Sequence, residues 1–406
     1  MNRFFKSGMS IMLMLSLTVA CSSPTRRTLT GLNELLDAVH QNHVQDDRTE
    51  LWDVSVHSDS GHFSLVGHLT QMEAYKALGK ALEERFPGVE NRIVLHHEDV
   101  DGGLVNALVN NSVIHLRKEP SSTKELVTQA LLGTPVRILL AEGGKSLIQV
   151  PDGYIGWVNT KELSPVNEEQ LAAYREAEKL FFTSQYGTAY TEPDPASMPV
   201  SDLVIGNLVS KAGEISGYTQ IKYPDGRLAW ARSSELVPAE EIFFKTPLQE
   251  NLVHSALRFH GIPYLWGGTS SKTIDCSGLV CNIYFMNGLQ LPRDADMQAL
   301  IGRELTTSMV PDQLEPGDLL FFGRKASEGR EENVTHVAMY IGNGEYIHSA
   351  GYRERVSINS MDSSQESFIE RYPEIFVRAV RILGEEYDGF SPISDNAFYK
   401  EIISTE

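Results

Sequence analysis

One frame occurs twice in this chain, and it constrains the fold more than any single motif. Residues 152–163 read Asp-Gly-Tyr-Ile-Gly-Trp-Val-Asn-Thr-Lys-Glu-Leu, and residues 225–236 read Asp-Gly-Arg-Leu-Ala-Trp-Ala-Arg-Ser-Ser-Glu-Leu. Shared are Asp-Gly, an apolar residue, a small residue, Trp, and a hydroxyl residue ahead of Glu-Leu. Two copies of one pattern demand two copies of one supersecondary unit. Each copy closes a stretch of short β-rich runs, such as residues 136–140 and 147–150, so the repeat predicts two small β-barrels over 111–166 and 180–240. Residues 168–182 have helical composition and are expected to connect them, while Pro193, Pro195 and Pro199 mark a loop in the second.

The 406 residues leave room for further domains on either side. Upstream, residues 28–110 read as an α/β unit. Leu29, Leu32, Leu36 and Val39 recur at helical spacing, two alternating runs flank the turn at residues 58–61, and Thr70 with Glu73 is a capping-box pattern. His57, His62, His68, His96 and His97 in this stretch fit no metal-ligand spacing. An apolar content of 41% with 22% charged residues excludes a disordered chain. A net charge of −19 excludes a nucleic-acid binder, which needs cations to neutralise phosphate. Three cysteines, Cys21, Cys276 and Cys281, are too few for a disulfide framework.

The chemistry is concentrated in residues 245–384. Asp275-Cys276-Ser277-Gly278 precedes the apolar face Leu279, Val280, Ile283 and Tyr284, which places Cys276 at the first turn of a helix. A thiol attacks only as thiolate, and a helix N-terminus and a nearby imidazolium both favour that form. His336 opens an apolar strand, and Gly342-Asn343-Gly344 predicts a hairpin that returns His348 beside it. Cys276, His336 and His348 thus read as nucleophile, base and orienting residue. No second thiolate with zinc-like spacing accompanies them, so neither metal nor organic cofactor is expected. Cys281, without polar company, reads as a core residue.

Asp-Cys-Ser-Gly, His-Val-Ala-Met-Tyr-Ile-Gly, Tyr-Leu-Trp-Gly-Gly, Leu-Pro-Arg-Asp and Pro-Gly-Asp-Leu together resemble the NlpC family of papain-like cell-wall cysteine peptidases. The repeated frame resembles bacterial SH3-like domains, and residues 125–129, 132–135 and 152–158 resemble the first such domain of γ-D-glutamyl-L-diamino acid endopeptidases. The resemblance implies an α+β papain-like domain preceded by two SH3-like barrels and the N-terminal α/β domain. It implies a murein stem peptide as substrate, cut after D-Glu and bearing a free N-terminal L-Ala. Glu125 and Tyr154 would capture that amine, and Asp275 and Ser277 the D-Glu carboxylate and the L-Ala backbone, with Tyr264 and Trp266 also lining the site. Arg227 stands in the second copy where the first has Tyr154, so only the first matches the amine-binding pattern. Many relatives carry Ser where this chain has Asp296, which leaves that contact open. Two alternatives remain: an amidase or autolysin acting on intact wall, which has no need of the Glu125/Tyr154 pair, and a wall-binding module with an inert peptidase domain.

The N-terminus adds an address. Arg3 and Lys6 precede an apolar run over residues 11–20, too short to span a bilayer, and Cys21 follows at once. Residues 18–23 resemble a bacterial lipobox, although Thr18 replaces the usual Leu, and Ser22 resembles an outer-membrane sorting signal. The resemblance implies a signal peptide over 1–20, lipidation of Cys21 and a periplasmic, membrane-tethered protein.

Overall fold

The computed structural model describes residues 24–97 and 105–403; the expected signal peptide and lipidation site at Cys21 lie outside them. The chain divides into two units, Met1–Gln45 with Trp52–Leu95, and Asp46–Leu51 with His96–Glu406.

In the first unit, strands Trp52–Asp59 and His62–Leu69 form the expected hairpin. Its turn uses Ser60 and Gly61, both at positive φ (49° and 85°), the backbone that a tight hairpin requires. Helix Met72–Arg85 then crosses over to strand Glu90–Leu95, which pairs parallel to His62–Leu69. Helices Pro24–His43 and Met72–Arg85 bury Leu32, Leu35, Leu36 and Val39, and Ala74, Leu78 and Leu82. Leu29, expected on that face, is 39% exposed. The capping box does not form either. The N-cap is Gln71, one residue later, to which the Thr70 side chain is hydrogen-bonded, while Glu73 pairs with Lys76.

The second unit contains the two barrels, and their strand orders are the same. In the first, Leu163–Pro165, Val105–Val109, Pro135–Glu142, Lys145–Gln149, Ile155–Asn159, Val113–Arg117 and Leu126–Leu131 are successive neighbours. In the second, Leu236–Pro238, Lys179–Phe182, Leu208–Ile215, Tyr218–Lys222, Leu228–Arg232, Tyr186–Tyr190 and Pro199–Val204 follow the identical path. The repeated frame has the same job in both. Asp152 and Asp225 each accept a hydrogen bond from the backbone two residues on, and the Trp strand ends in a single 3₁₀ turn. This topology corrects two sequence boundaries. Residues 105–109 belong to the first barrel and not to the N-terminal domain, and residues 179–182 are the equivalent strand of the second barrel instead of the end of a helix. The connecting helix is Glu168–Glu176, capped by Asn167.

The remainder is a six-stranded antiparallel sheet with helix Cys276–Phe285 packed on it. Leu279, Val280 and Ile283 of the helix share one core with Val337, Met339 and Ile347 of the sheet. Burying three such aliphatic side chains contributes roughly 1.5–3 kcal/mol each, which fixes the helix start against strand Asn333–Gly342. Among the described residues no helix is long and apolar enough to cross a membrane.

Candidate active site

Asp275 is the N-cap of helix Cys276–Phe285, with extended backbone and its Oδ1 accepting from Gly278 N–H at 2.7 Å. Its Oδ2 accepts from Gly267 N–H at 2.9 Å and from the Arg293 guanidinium at 2.7 Å. Arg293 is fully buried and also donates to Ser277 Oγ at 2.8 Å and Thr128 Oγ1 at 2.9 Å. Both oxygens of Asp275 are therefore committed within the protein, and they lock the turn that carries Cys276. Gly267 is required at that turn. Its φ is 76°, and a Cβ added there would lie 2.4 Å from the Leu126 carbonyl of the first barrel.

The Cys276 thiol is pushed up to about 12, first by burial and then by Asp275, while backbone N–H groups of Val337 and Ser277 pull it down. Cys276 packs against the core that contains Val337, the residue after His336. Strand Asn333–Gly342 pairs with Glu345–Ala350 in the register Met339 with Ile347, which sets His336 and His348 as diagonal neighbours on one face. His336 Nε2 and His348 Nδ1 are 2.8 Å apart. His348 Nε2 lies 3.0 Å from Asn359 Oδ1, and Asn359 Nδ2 donates to the Ser367 carbonyl at 2.6 Å.

These contacts determine the proton positions. A backbone carbonyl only accepts, so Asn359 must present its amide nitrogen to Ser367 and its oxygen to His348. His348 is then protonated on Nε2, and its Nδ1 lone pair accepts from His336 Nε2–H. The other His336 nitrogen, Nδ1, keeps a lone pair, the form a general base needs. Phe322 and Tyr372 pack on His336 at ring-centroid distances of 5.9 and 5.8 Å. Burial in this aromatic box pushes His336 down to about 4 and His348 well below the usual histidine range. Burial thus disfavours the charged forms of both the thiol and the imidazole.

Cys276 opens into a cleft of about 880 Å³ that Glu125, Tyr154, Tyr264, Trp266, Asp275 and Ser277 also line. All the predicted substrate-binding residues thus meet at one cleft. Glu125 is exposed and accepts from Trp266 Nε1 at 3.0 Å. Tyr154 is buried, and its hydroxyl donates to Asp294 Oδ2 at 3.1 Å. Tyr264 is half-buried, its phenol pushed up to about 12 by burial first and then by Cys276 and Asp275. Asp294, Asn359, Tyr372 and Arg48 were not singled out by sequence reasoning. Asp294 lies inside the Leu-Pro-Arg-Asp motif, whereas Asn359 and Tyr372 carry no local signal. Asp296 lines the cleft and is paired with Arg48.

A thiol at a helix start, served by two coupled imidazoles on a neighbouring sheet, defines a papain-like cysteine peptidase. Residues 261–372 match the NlpC/P60 family, and residues 116–163 match the bacterial dipeptidyl-peptidase SH3 domain. The chain is a cysteine peptidase with an NlpC/P60 domain and a bacterial SH3 domain. It is 28% identical to a gamma-D-glutamyl-L-lysine dipeptidyl-peptidase of Bacillus cereus, over 62% of this chain and 75% of that protein. To dipeptidyl-peptidase 6 of Lysinibacillus sphaericus it is 29% identical, over 64% of this chain and 92% of that one. A solved NlpC/P60 family protein from Bacillus cereus superposes with a TM-score of 0.58 at 26% identity, covering 68% of this chain and 99% of that one. These relatives support activity on cell-wall peptides.

Proposed function

We propose that this enzyme hydrolyses the γ-D-glutamyl-L-diamino acid bond of murein stem peptides that carry a free N-terminal L-Ala, releasing L-Ala-γ-D-Glu during wall-peptide recycling. The observation that carries this reading is that Glu125, Asp294 and Tyr154 line the Cys276 cleft, with the Tyr154 hydroxyl donating to Asp294. An ammonium gives the exposed Glu125 carboxylate an added charge-assisted partner; an amide-linked muramic acid offers none. That asymmetry favours free peptides over sugar-linked murein and disfavours the amidase and autolysin readings. The filled Cys276, His336 and His348 positions disfavour an inert wall-binding module. The names of the relatives from Bacillus cereus and Bacillus subtilis support the scissile bond.

In the proposed mechanism His336 Nδ1 takes the Cys276 proton as the sulfur attacks the γ-carbonyl carbon of D-Glu. The Cys276 backbone N–H, at the helix start, donates to the developing oxyanion, a contribution of about 3–4 kcal/mol in such sites. Protonated His336 then gives its proton to the departing amine, leaving a thioester. Water, deprotonated by the same ring, releases L-Ala-γ-D-Glu and restores the thiol. Arg293 donates to Ser277 Oγ, and the Ser277 hydroxyl makes a long 3.4 Å contact to Asp275 Oδ1 that it can exchange for the D-Glu α-carboxylate. Asp275 acts from behind by holding Arg293 and the helix start. Tyr264 and Trp266 flank the bound peptide.

Glu125→Gln separates charge from shape, since the amide oxygen still accepts from Trp266. We expect KM for L-Ala-γ-D-Glu-L-Lys to rise about tenfold, the loss of one exposed charge-assisted contact, with little change for the N-acetylated peptide. An equal rise on both would make Glu125 structural. The proposed lipid anchor at Cys21 and periplasmic placement at the outer membrane rest on the lipobox resemblance. Cys21→Ala is expected to shift the enzyme from the membrane fraction to the soluble fraction; an unchanged distribution would contradict the anchor.

A further inference from the structure

Neither family match reaches residues 46–51, yet Asp47, Arg48 and Leu51 line the same cleft as Cys276. The segment belongs to the unit that holds the barrels and the peptidase sheet. Its backbone is stitched to the first barrel. Ile155 N–H donates to the Arg48 carbonyl at 2.8 Å, and Gln149 Nε2 donates to the Thr49 carbonyl at 2.9 Å.

Three carboxylates hold the Arg48 side chain. Nε donates to Asp46 Oδ1 at 2.9 Å, and one terminal nitrogen donates to Asp294 Oδ2 at 2.8 Å. The two terminal nitrogens grip Asp296 as a fork, at 3.0 and 2.9 Å. The Asp294 oxygen that takes Arg48 is the one that accepts the Tyr154 hydroxyl. The guanidinium therefore abuts the place where the substrate ammonium is expected. A planar guanidinium held in fork geometry is a rigid obstacle, unlike a lysine free to swing aside.

We propose that Arg48 is a specificity-determining residue whose clamped guanidinium closes the amine end of the cleft and limits substrates to one residue ahead of D-Glu. The inference rests on the free-amine reading above and adds a length limit to it. A peptide with one more residue still carries an ammonium, but its added backbone must enter the volume Arg48 occupies. Admitting it means breaking charge-assisted hydrogen bonds to Asp294 and Asp296.

The test compares kcat/KM for L-Ala-γ-D-Glu-L-Lys, its N-acetyl form and Gly-L-Ala-γ-D-Glu-L-Lys, using the full chain with and without Arg48→Ala. The wild type is expected to prefer the tripeptide over the glycyl-extended peptide by about 100-fold, the scale of two lost charge-assisted bonds. Arg48→Ala is expected to narrow that ratio at least about tenfold by a gain on the extended peptide. Asp296→Asn, which weakens one arm of the clamp, is expected to narrow it less and serves if Arg48→Ala does not fold. An unchanged ratio in a folded variant overturns the role of Arg48. Equal cleavage of free and acetylated tripeptides by the wild type would instead sink the free-amine reading, so the two failures are distinct.

Discussion

Cys276→Ala is expected to lower kcat for the free tripeptide by about 10⁴-fold or more, the scale seen when a nucleophile that acts as part of a unit is removed. No neighbouring group can replace it. Cys281 is the other described cysteine; it is buried, faces the Pro292 carbonyl at 3.4 Å, and burial holds its thiol protonated. The substitution removes little packing, since Cys276 is only partly buried and the helix start is held by Asp275, Arg293 and Gly278. Thermal unfolding is therefore expected to shift by no more than a few degrees, and the variant should still bind L-Ala-γ-D-Glu in a titration. The measurement is turnover alongside both controls. Alkylation is the complementary route, with complete modification of Cys276 followed by mass spectrometry. Turnover that survives it would contradict the nucleophile assignment.

The second large effect is expected at His348. Its Nδ1 is the acceptor that keeps the His336 proton on Nε2, and Asn359 fixes it in that state. His348→Ala removes the acceptor and lets His336 rotate or change tautomer, for an expected fall in kcat of about 10²–10³-fold. His348→Asn, whose side-chain oxygen can accept from His336, is expected to recover part of the loss. The pH profile distinguishes this role from a merely structural one. His336 is held down to about 4 by burial. With His348→Ala, water enters and the imidazolium is better solvated, so the acid limb of kcat/KM is expected to move to higher pH. A variant that loses stability but keeps the wild-type acid limb would make His348 a packing residue.

What could be read in the sequence was whatever depends on neighbours along the chain. The helix start at Cys276 follows from Asp275 and the apolar face behind it, and the hairpin from Gly342-Asn343-Gly344, where Asn343 and Gly344 adopt φ of 56° and 72°. The repeated frame announced two barrels but not their first strands. Val105–Val109 and Lys179–Phe182 precede the frame, and their partners lie far along the chain. The second also begins with Lys179, which reads as a surface helix residue but is buried, its Nζ donating to the Arg175 and Ala177 carbonyls. Arg48 had no local signal, because Asp294 and Asp296 lie 246 and 248 positions away. Asn359 was equally silent, since its meaning comes from His348 across the strand pair.

The central claim is a peptidase admitted to its substrate by a free amine. It is tested most directly by mass spectrometry of the products formed by residues 22–406 from two substrates. One is L-Ala-γ-D-Glu-diaminopimelate, and the other is the same peptide with its amine joined to muramic acid. Release of L-Ala-γ-D-Glu from the free peptide alone is the predicted result. Cleavage of both, or of the muramic-acid-linked peptide alone, would contradict the amine gate and make the enzyme a hydrolase of the intact wall.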